Sequence, residues 1–138
     1  MLPTEAQWEY ACRAGTTTAL NSGKDILDVS KCANMDEVGW YYFNSAFEMH
    51  SVGEKQPNAW GIYDMHGNVA EWCLDWYGKY STGLDIDPVG AEEGSLRVYR
   101  GGSRVDYAYS CRSATRGNGE PGKIGENLGF RVALIPVE

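Results

Sequence analysis

The chain has 138 residues, of which 43% are hydrophobic, so it can bury one core but is too short for two ordinary domains. Nineteen acidic against twelve basic residues give a net charge of −7, which disfavours binding to the phosphate backbone of nucleic acids. There is no apolar run of about eighteen residues and no N-terminal signal-peptide pattern. We therefore expect one soluble domain over 1–138 without membrane insertion, in a compartment that composition leaves open.

A helix is predicted near the start of the chain. Thr4 is a good N-cap with Gln7 three positions later, and Pro3 precedes it, so the helix should cover 5–14 and stop before Gly15. The following segment, 16–36, is polar and has no sustained periodicity. It is predicted to be a surface loop with one short turn.

Short strands and ordered loops are predicted after Gly39, where aromatic residues recur among Gly and Asn. The predicted strands are 69–76, 96–100 and 130–135. The segment 80–95 is expected to be a long connection. A loop of nearly thirty residues joins the last two strands, and a loop of that length in a compact domain is usually functional or disordered.

The four cysteines, at 12, 32, 73 and 111, are widely spaced and include no Cys-x-x-Cys pair. With no histidine at zinc-ligand spacing, a zinc site is not expected. Their apolar and aromatic neighbours suit buried thiols, and at least one disulfide is the alternative.

Five segments in order along the chain resemble the formylglycine-generating enzyme family of sulfatase-modifying factors. They are LPTEAQWEY at 2–10, GIYDMHGNVAEW at 61–72, VYRGGS at 98–103, CRSATR at 111–116 and LGFRV at 128–132. The resemblance implies an α+β fold of the C-type lectin type, irregular and low in regular secondary structure. Family members include an oxidase, relatives with other activities and binding proteins without catalysis, so fold alone does not give the function.

The resemblance also implies that part of the usual domain is missing. In the family, the Leu-Pro-Thr-Glu-Ala helix lies near the middle of the domain, whereas here it begins at Leu2. We therefore expect the usual N-terminal half to be absent and the strand at 130–135 to expose an edge. An oligomer contact or a partner chain could cover that edge.

A calcium site is expected in the acidic turn of the second motif. Carboxylates at 64 and 71 around a Gly-containing turn can converge on a hard cation, with carbonyls supplying further oxygen ligands. The alternative is an acidic turn in which Glu71 binds backbone amides. The family resemblance implies a structural calcium held by the side chains of Asp64 and Glu71 and the carbonyls of Gly67 and Val69.

Copper and oxidase activity are not expected. The oxidases of the family carry a pair of cysteines before the segment matched by Cys111, and these bind copper and the substrate cysteine. Residues 104–110 contain no cysteine, and one isolated thiol cannot form a two-thiolate Cu(I) site. The two histidines, His50 and His66, lie in stretches ordinary for the family and are expected to be structural or solvent-facing. No catalytic residue is therefore predicted.

The segment 104–127 is the predicted ligand-binding surface. In one branch of this fold, the variable proteins of diversity-generating retroelements, mutagenesis of adenines in Asn codons varies this segment on a fixed scaffold. Residues reachable in that way fill most of it, and the predicted ligand-binding residues are Arg104, Val105, Asp106, Tyr107, Tyr109, Ser110, Gly117, Asn118, Gly119, Ile124 and Gly125. Arg104 stands where the family usually has Trp, and Lys123 and Glu126 are not reachable.

The sequence thus supports two functions. The favoured one is a noncatalytic module that displays 104–127 to a protein or cell-surface ligand, because exposed tyrosines give a large contact area at low entropic cost. Common loop residues and buried structural tyrosines are the plain alternative for that segment. The second function is an enzyme-like or accessory member of the sulfatase-modifying family.

Overall fold

The computed structural model describes residues 1–134. It contains helices α1 (Glu5–Arg13) and α2 (Ala33–Val38) and a 3-10 helix at Ala108–Cys111. Its six strands are β1 (Gly39–Trp40), β2 (His66–Gly67), β3 (Ala70–Trp76), β4 (Arg97–Arg100), β5 (Arg116–Gly119) and β6 (Leu128–Gly129). Long ordered loops connect them, and this confirms the predicted α+β class with little regular secondary structure.

The predicted helix forms as α1, and its capping explains why. The Thr4 hydroxyl accepts from the Gln7 amide and the Gln7 side chain accepts from the Thr4 amide, which is a complete capping box. The helix ends where Ala14 adopts the left-handed conformation (φ 45°). Trp8 and Cys12 are buried on its inner face, so α1 docks on the sheet through these side chains.

The main sheet has the order β5-β4-β3-β6. β3 pairs antiparallel with β4 and parallel with β6, and β4 pairs antiparallel with β5. A second, two-stranded parallel sheet joins β1 to β2. Along β3, Glu71, Cys73 and Asp75 are buried while the intervening side chains are partly exposed, so the strand directs polar groups into the protein as well as apolar ones.

Three elements depart from the sequence prediction. The helix α2 lies at the end of the segment predicted as loop and buries Met35 and Val38. The strand β5 lies within the predicted thirty-residue loop. The closing strand is β6, at Leu128–Gly129, whereas residues 130–134 of the predicted strand 130–135 are not in a strand and Ile135 lies outside the described residues.

Two clusters form the core. One contains Leu20, Cys32, Met35, Val38, Tyr41, Ala108 and Cys111, and the other contains Trp8, Cys12, Met65, Cys73 and Val98. The first cluster packs the 3-10 helix of the C-terminal segment against α2, which fixes the base of the predicted binding surface. Among residues 1–134, no helix is long and apolar enough to cross a membrane.

Candidate functional site

The first part of the C-terminal segment is bonded to a second loop, 41–47. The Tyr42 amide donates to the Asp106 carbonyl (2.9 Å), and the Ser45 hydroxyl donates to the Arg104 carbonyl (2.7 Å). The guanidinium of Arg104 in turn donates to the Phe47 carbonyl (3.0 Å). Because the two loops share these bonds, they present one continuous surface.

Two predicted ligand-binding residues have internal partners. Arg104 is only 6% exposed, and its guanidinium also donates to the Glu126 carbonyl (2.6 Å), which joins both ends of the segment 104–126. The Asp106 carboxylate accepts from the amide (2.8 Å) and the hydroxyl (2.6 Å) of Ser103. Both side chains therefore hold the shape of the surface.

Other predicted residues are exposed close to one another. Tyr107 and Tyr109 are each 50% exposed and Val105 is 38% exposed, whereas Ala108 between the tyrosines is fully buried. Ser110 is half-buried, and its amide donates to the Tyr107 carbonyl (2.9 Å). The tyrosine rings therefore project from a backbone that is anchored in the core.

Tyr107 belongs to an aromatic cluster that the sequence prediction did not include. Its ring lies edge-on to Tyr42 (5.1 Å between centroids) and stacks near Phe43 (5.7 Å). Tyr42 also meets Phe47 edge-on (4.9 Å). Phe43 and Phe47 are exposed. The aromatic density after Gly39 was the available signal, but only the fold places those rings beside Tyr107.

The remaining predicted residues lie on β5 and the turn after it. Gly117, Asn118 and Gly119 pair with β4, so their backbone belongs to the sheet. Ile124 is 97% exposed and Gly125 is half-buried. The edge position of β5 leaves one side of this strand without a sheet neighbour in the described chain.

The four predicted calcium ligands, Asp64, Gly67, Val69 and Glu71, all line one cavity of about 370 Å³. Positive φ values at Asp64 (60°) and Gly67 (78°) curl the turn around it. Asp64 Oδ2 accepts from the Gly53 amide (2.8 Å), whereas its Oδ1 is buried with no hydrogen-bond partner. The geometry thus brings the predicted ligands together and leaves one carboxylate oxygen available.

Arg131 also lines this cavity and was not predicted to contribute. Its guanidinium donates to both carboxylate oxygens of Glu71 (2.7 and 2.8 Å), and the Trp8 indole donates to the same carboxylate (2.6 Å). The alternative prediction, Glu71 bonded to backbone amides, does not describe this arrangement. Arg131 belongs to the LGFRV motif, but it lies sixty positions from Glu71 in the sequence, so this contact was not predicted.

The predicted calcium ligands are two carboxylates and two main-chain carbonyls, and both Glu71 oxygens already accept from Arg131. Hard cations take oxygen ligands, and the unpaired Asp64 oxygen is one such group. Residues 1–134 contain no group of three or more His, Cys, Asp or Glu side chains positioned for a metal. An ion here would depend on two carboxylates and backbone carbonyls, with Arg131 already neutralising Glu71.

All four cysteines are free and buried, so none forms a disulfide. Burial raises the pKa of the Cys12 thiol to about 11 and also raises the pKa values of the Cys73 and Cys111 thiols. Each of these three remains a protonated thiol at neutral pH. Since thiolates are the nucleophiles and metal ligands, these three positions do not support thiol chemistry. For Cys32, burial would raise the pKa, but backbone hydrogen bonds lower it below its ordinary value.

The histidines are structural. His66 is fully buried, and its Nδ1 donates to the Cys111 carbonyl (2.7 Å) while Nε2 accepts from the Asn21 amide (3.1 Å), which defines a neutral tautomer. Burial lowers the pKa of His66 to about 4. His50 stacks on Trp40 with ring centroids 3.6 Å apart.

The sequence matches the family described as "Sulfatase-modifying factor enzyme 1-like domain" over residues 1–135. It is similar to the formylglycine-generating enzymes of Streptomyces coelicolor (36% identity) and Mus musculus (34% identity), with 96% of this chain covered in each case. It is also 35% identical to the serine/threonine-protein kinase pkn1 of Chlamydia pneumoniae over 96% of this chain. The chain spans 46%, 38% and 20% of the lengths of these three relatives.

Two solved structures share the fold. Treponema denticola variable protein 1 superposes with a TM-score of 0.84 at 42% identity, covering 94% of this chain and 45% of that protein. PvdO from Pseudomonas aeruginosa superposes with a TM-score of 0.79 at 28% identity, covering 94% of this chain and 50% of that protein.

Proposed function

The chain belongs to the family of sulfatase-modifying factor enzyme 1-like domains, and from that premise we propose that it is a noncatalytic ligand-binding domain. The binding surface is the segment 104–127, with Val105, Tyr107 and Tyr109 as its exposed contacts. The observation that carries the proposal is the projection of half-exposed tyrosines from a buried backbone, on a fold similar to that of a variable protein. A protein or cell-surface ligand suits such a surface, because tyrosine supplies rigid amphipathic contact area.

Within this proposal, the buried partners of the segment act as framework. Arg104 ties the segment together through the carbonyls of Phe47 and Glu126, and Asp106 caps the turn at Ser103. Exposed residues between them can change without removing these bonds. That separation is what a surface diversified on a fixed scaffold requires.

The diversification part of the proposal is tested by sequencing the coding region across the source population. Codons for 104–127 are compared with those for 60–76. Substitutions concentrated at former adenines of the C-terminal segment support a diversified binding surface. Uniformly low variation in both segments would remove that reading.

An enzyme-like or accessory role is the second candidate, favoured by the similarity to formylglycine-generating enzymes. Buried thiols with raised pKa values argue against it, since a Cu(I) site needs thiolates. The test is mass spectrometry of a Cys-x-Pro-x-Arg peptide incubated with the protein, copper and oxygen. Replacement of the peptide thiol by an aldehyde would refute the noncatalytic proposal.

We also propose that the cavity at Asp64 and Glu71 holds calcium in a structural role. The support is the buried Asp64 oxygen without a hydrogen bond and the position of all four predicted ligand residues around one cavity. A bound ion would supply positive charge to the turn and stabilise its left-handed backbone. The proposal does not include copper.

A further inference from the structure

A larger cavity, of about 740 Å³, lies between α1 and the connection that follows β3. Its lining comes from the first turns of α1, the end of β3, residues 78–81 and 85–91, and Arg116 of β5. Its volume is in the range of small-molecule sites, roughly 300–1,000 Å³. None of the predicted ligand-binding or calcium-binding residues lines it. It lies apart from the predicted calcium cavity, and Arg116 is the one described residue of the segment 104–127 that lines it.

The connection that covers this cavity is anchored at both ends. The Tyr80 hydroxyl donates to Glu5 Oε1 (3.0 Å), and Ala91 forms an antiparallel bridge with Trp76. Gly90 lies so close to the strand that a Cβ there would be 2.8 Å from Asp75 Oδ1. Because these contacts hold the backbone on the protein, the cavity is part of the folded structure.

Apart from the ion pairs in its wall, the cavity is lined by more negative than positive side chains. Glu5 and Glu9 line the wall but pair with arginines: Arg100 contacts both carboxylates and Arg116 contacts Glu5. Three further carboxylates line the cavity, those of Asp75, Asp85 and Asp87, against the ammonium of Lys79 and the guanidinium of Arg116, which is paired with Glu5. A ligand with positive charge is therefore favoured over a neutral or anionic one.

Asp75 is the most informative of these carboxylates. It is only 3% exposed, and its Oδ2 accepts from the Glu5 amide (2.6 Å). Its Oδ1 makes no hydrogen bond to another residue of the described chain. Burial raises the pKa of this carboxyl above its ordinary value. A cationic donor beside this carboxyl would favour its ionised form.

Apolar surface lies beside these charges. Tyr10, Trp76 and Val89 line the cavity, and Ile86 adds an exposed apolar side chain at its border. Contact with these apolar walls stabilises a bound alkyl chain through the hydrophobic effect, whereas it does not stabilise a hydrated metal ion. We propose that this cavity binds an alkylammonium or alkylguanidinium group, with Asp75 as the buried acceptor and Asp87 as a more exposed one.

The same chemistry can come from a small free amine or from a lysine or arginine side chain of a polypeptide. Isothermal titration calorimetry at low ionic strength distinguishes these sources with two probes: agmatine, and the blocked peptide acetyl-Gly-Arg-Gly-amide. A peptide with norvaline in place of arginine is the neutral control. Saturable binding of agmatine alone assigns a free amine, and binding of the arginine peptide assigns a polypeptide side chain. The proposal is overturned if neither cation saturates by about 10 mM, which is weaker than useful recognition, or if the neutral peptide binds equally well.

Variants then place the binding in this cavity. Asp75→Asn should weaken cation binding about tenfold, because it removes a buried charge but keeps an oxygen to accept from the Glu5 amide. Asp87→Asn, at an exposed position that tolerates the change, should weaken it about threefold. Glu48→Gln makes the same charge change at an exposed residue outside the cavity and should leave the affinity unaltered. Equal affinity in all three variants would assign the binding elsewhere, without bearing on the C-terminal surface.

Discussion

The buried carboxylate of Glu5 gives the sharpest stability prediction. Its side chain is 5% exposed and contacts Arg100 (2.5 Å) and Arg116 (2.6 Å). Glu5→Gln removes the negative charge and leaves Arg116 with the Gly78 carbonyl and aromatic rings. Breaking a buried ion pair costs about 3–5 kcal/mol, and because Arg100 keeps Glu9, we expect about 3 kcal/mol.

Urea unfolding monitored by tryptophan fluorescence measures this loss, with Glu37→Gln as the matched control. Glu37 pairs with Lys24 at the surface, so its replacement should cost at most about 0.5 kcal/mol. Equal losses in the two variants would refute the reasoning, since burial would then have no effect on the pair.

The pH dependence supplies a second readout for Glu5. Burial alone would raise the pKa of Glu5, but the hydrogen bonds and charges of Arg116 and Arg100 lower it below the ordinary 4.5. A lowered pKa in the folded state stabilises the protein above pH 4.5, and that contribution is lost as pH falls through the folded value. The stability difference between wild type and Glu5→Gln should therefore be constant from pH 7 to about 5 and shrink below pH 4.5. A constant difference at lower pH would contradict the assigned ion pairs.

Gly117→Ala should cost about 1–3 kcal/mol, because its Cβ would overlap the Tyr99 ring, whereas Gly83→Ala, in open space, should be nearly neutral in the same urea titration. Asp64→Asn should abolish any calcium-dependent rise in melting temperature; an equal rise in wild type and variant, each measured against chelator, would exclude this metal site. Between pH 6.5 and 4, only the unfolded state of the wild type takes up a proton at His66, so its free energy of unfolding should fall by about 3 kcal/mol. In His66→Gln, the free energy of unfolding should change less over the same pH range. Parallel pH curves for the two proteins would show that His66 is protonated in the fold.

Elements set by local signals were predictable from the sequence. The capping box of Thr4 and Gln7 is a local pattern, and α1 begins and ends within one residue of the prediction. β3 and β4 were found from aromatic and β-branched runs. In contrast, β5 reads Arg-Gly-Asn-Gly and has low strand propensity. Its glycines are required by the rings of Tyr99 and Trp72 packed above them, which no local pattern reveals.

The candidate site was predictable only in part, for a related reason. Asp64 and Glu71 lie within one motif, so their approach to a common cavity followed from the resemblance. Arg131 reaches Glu71 across sixty positions, and Arg104 reaches Glu126 across twenty-two. Reachability from an Asn codon marked Arg104 as a ligand-binding residue, but burial and hydrogen bonding give it an internal role that depends on the loop 41–47.

The alternation within 104–113 explains how one segment can serve both scaffold and surface. Ala108 and Cys111 are fully buried in the core, whereas Tyr107 and Tyr109 are half exposed on either side of Ala108. The backbone of the exposed residues is fixed separately, since the amides of Ala108 and Tyr109 donate to carbonyls of the loop before α2 (3.2 and 3.1 Å). Because these bonds use main-chain atoms, changing the exposed side chains leaves them intact. A domain built in this way keeps its anchored backbone when Tyr107 or Tyr109 is exchanged, as the proposed binding function requires, although exchange of Tyr107 also removes its ring contacts with Tyr42 and Phe43.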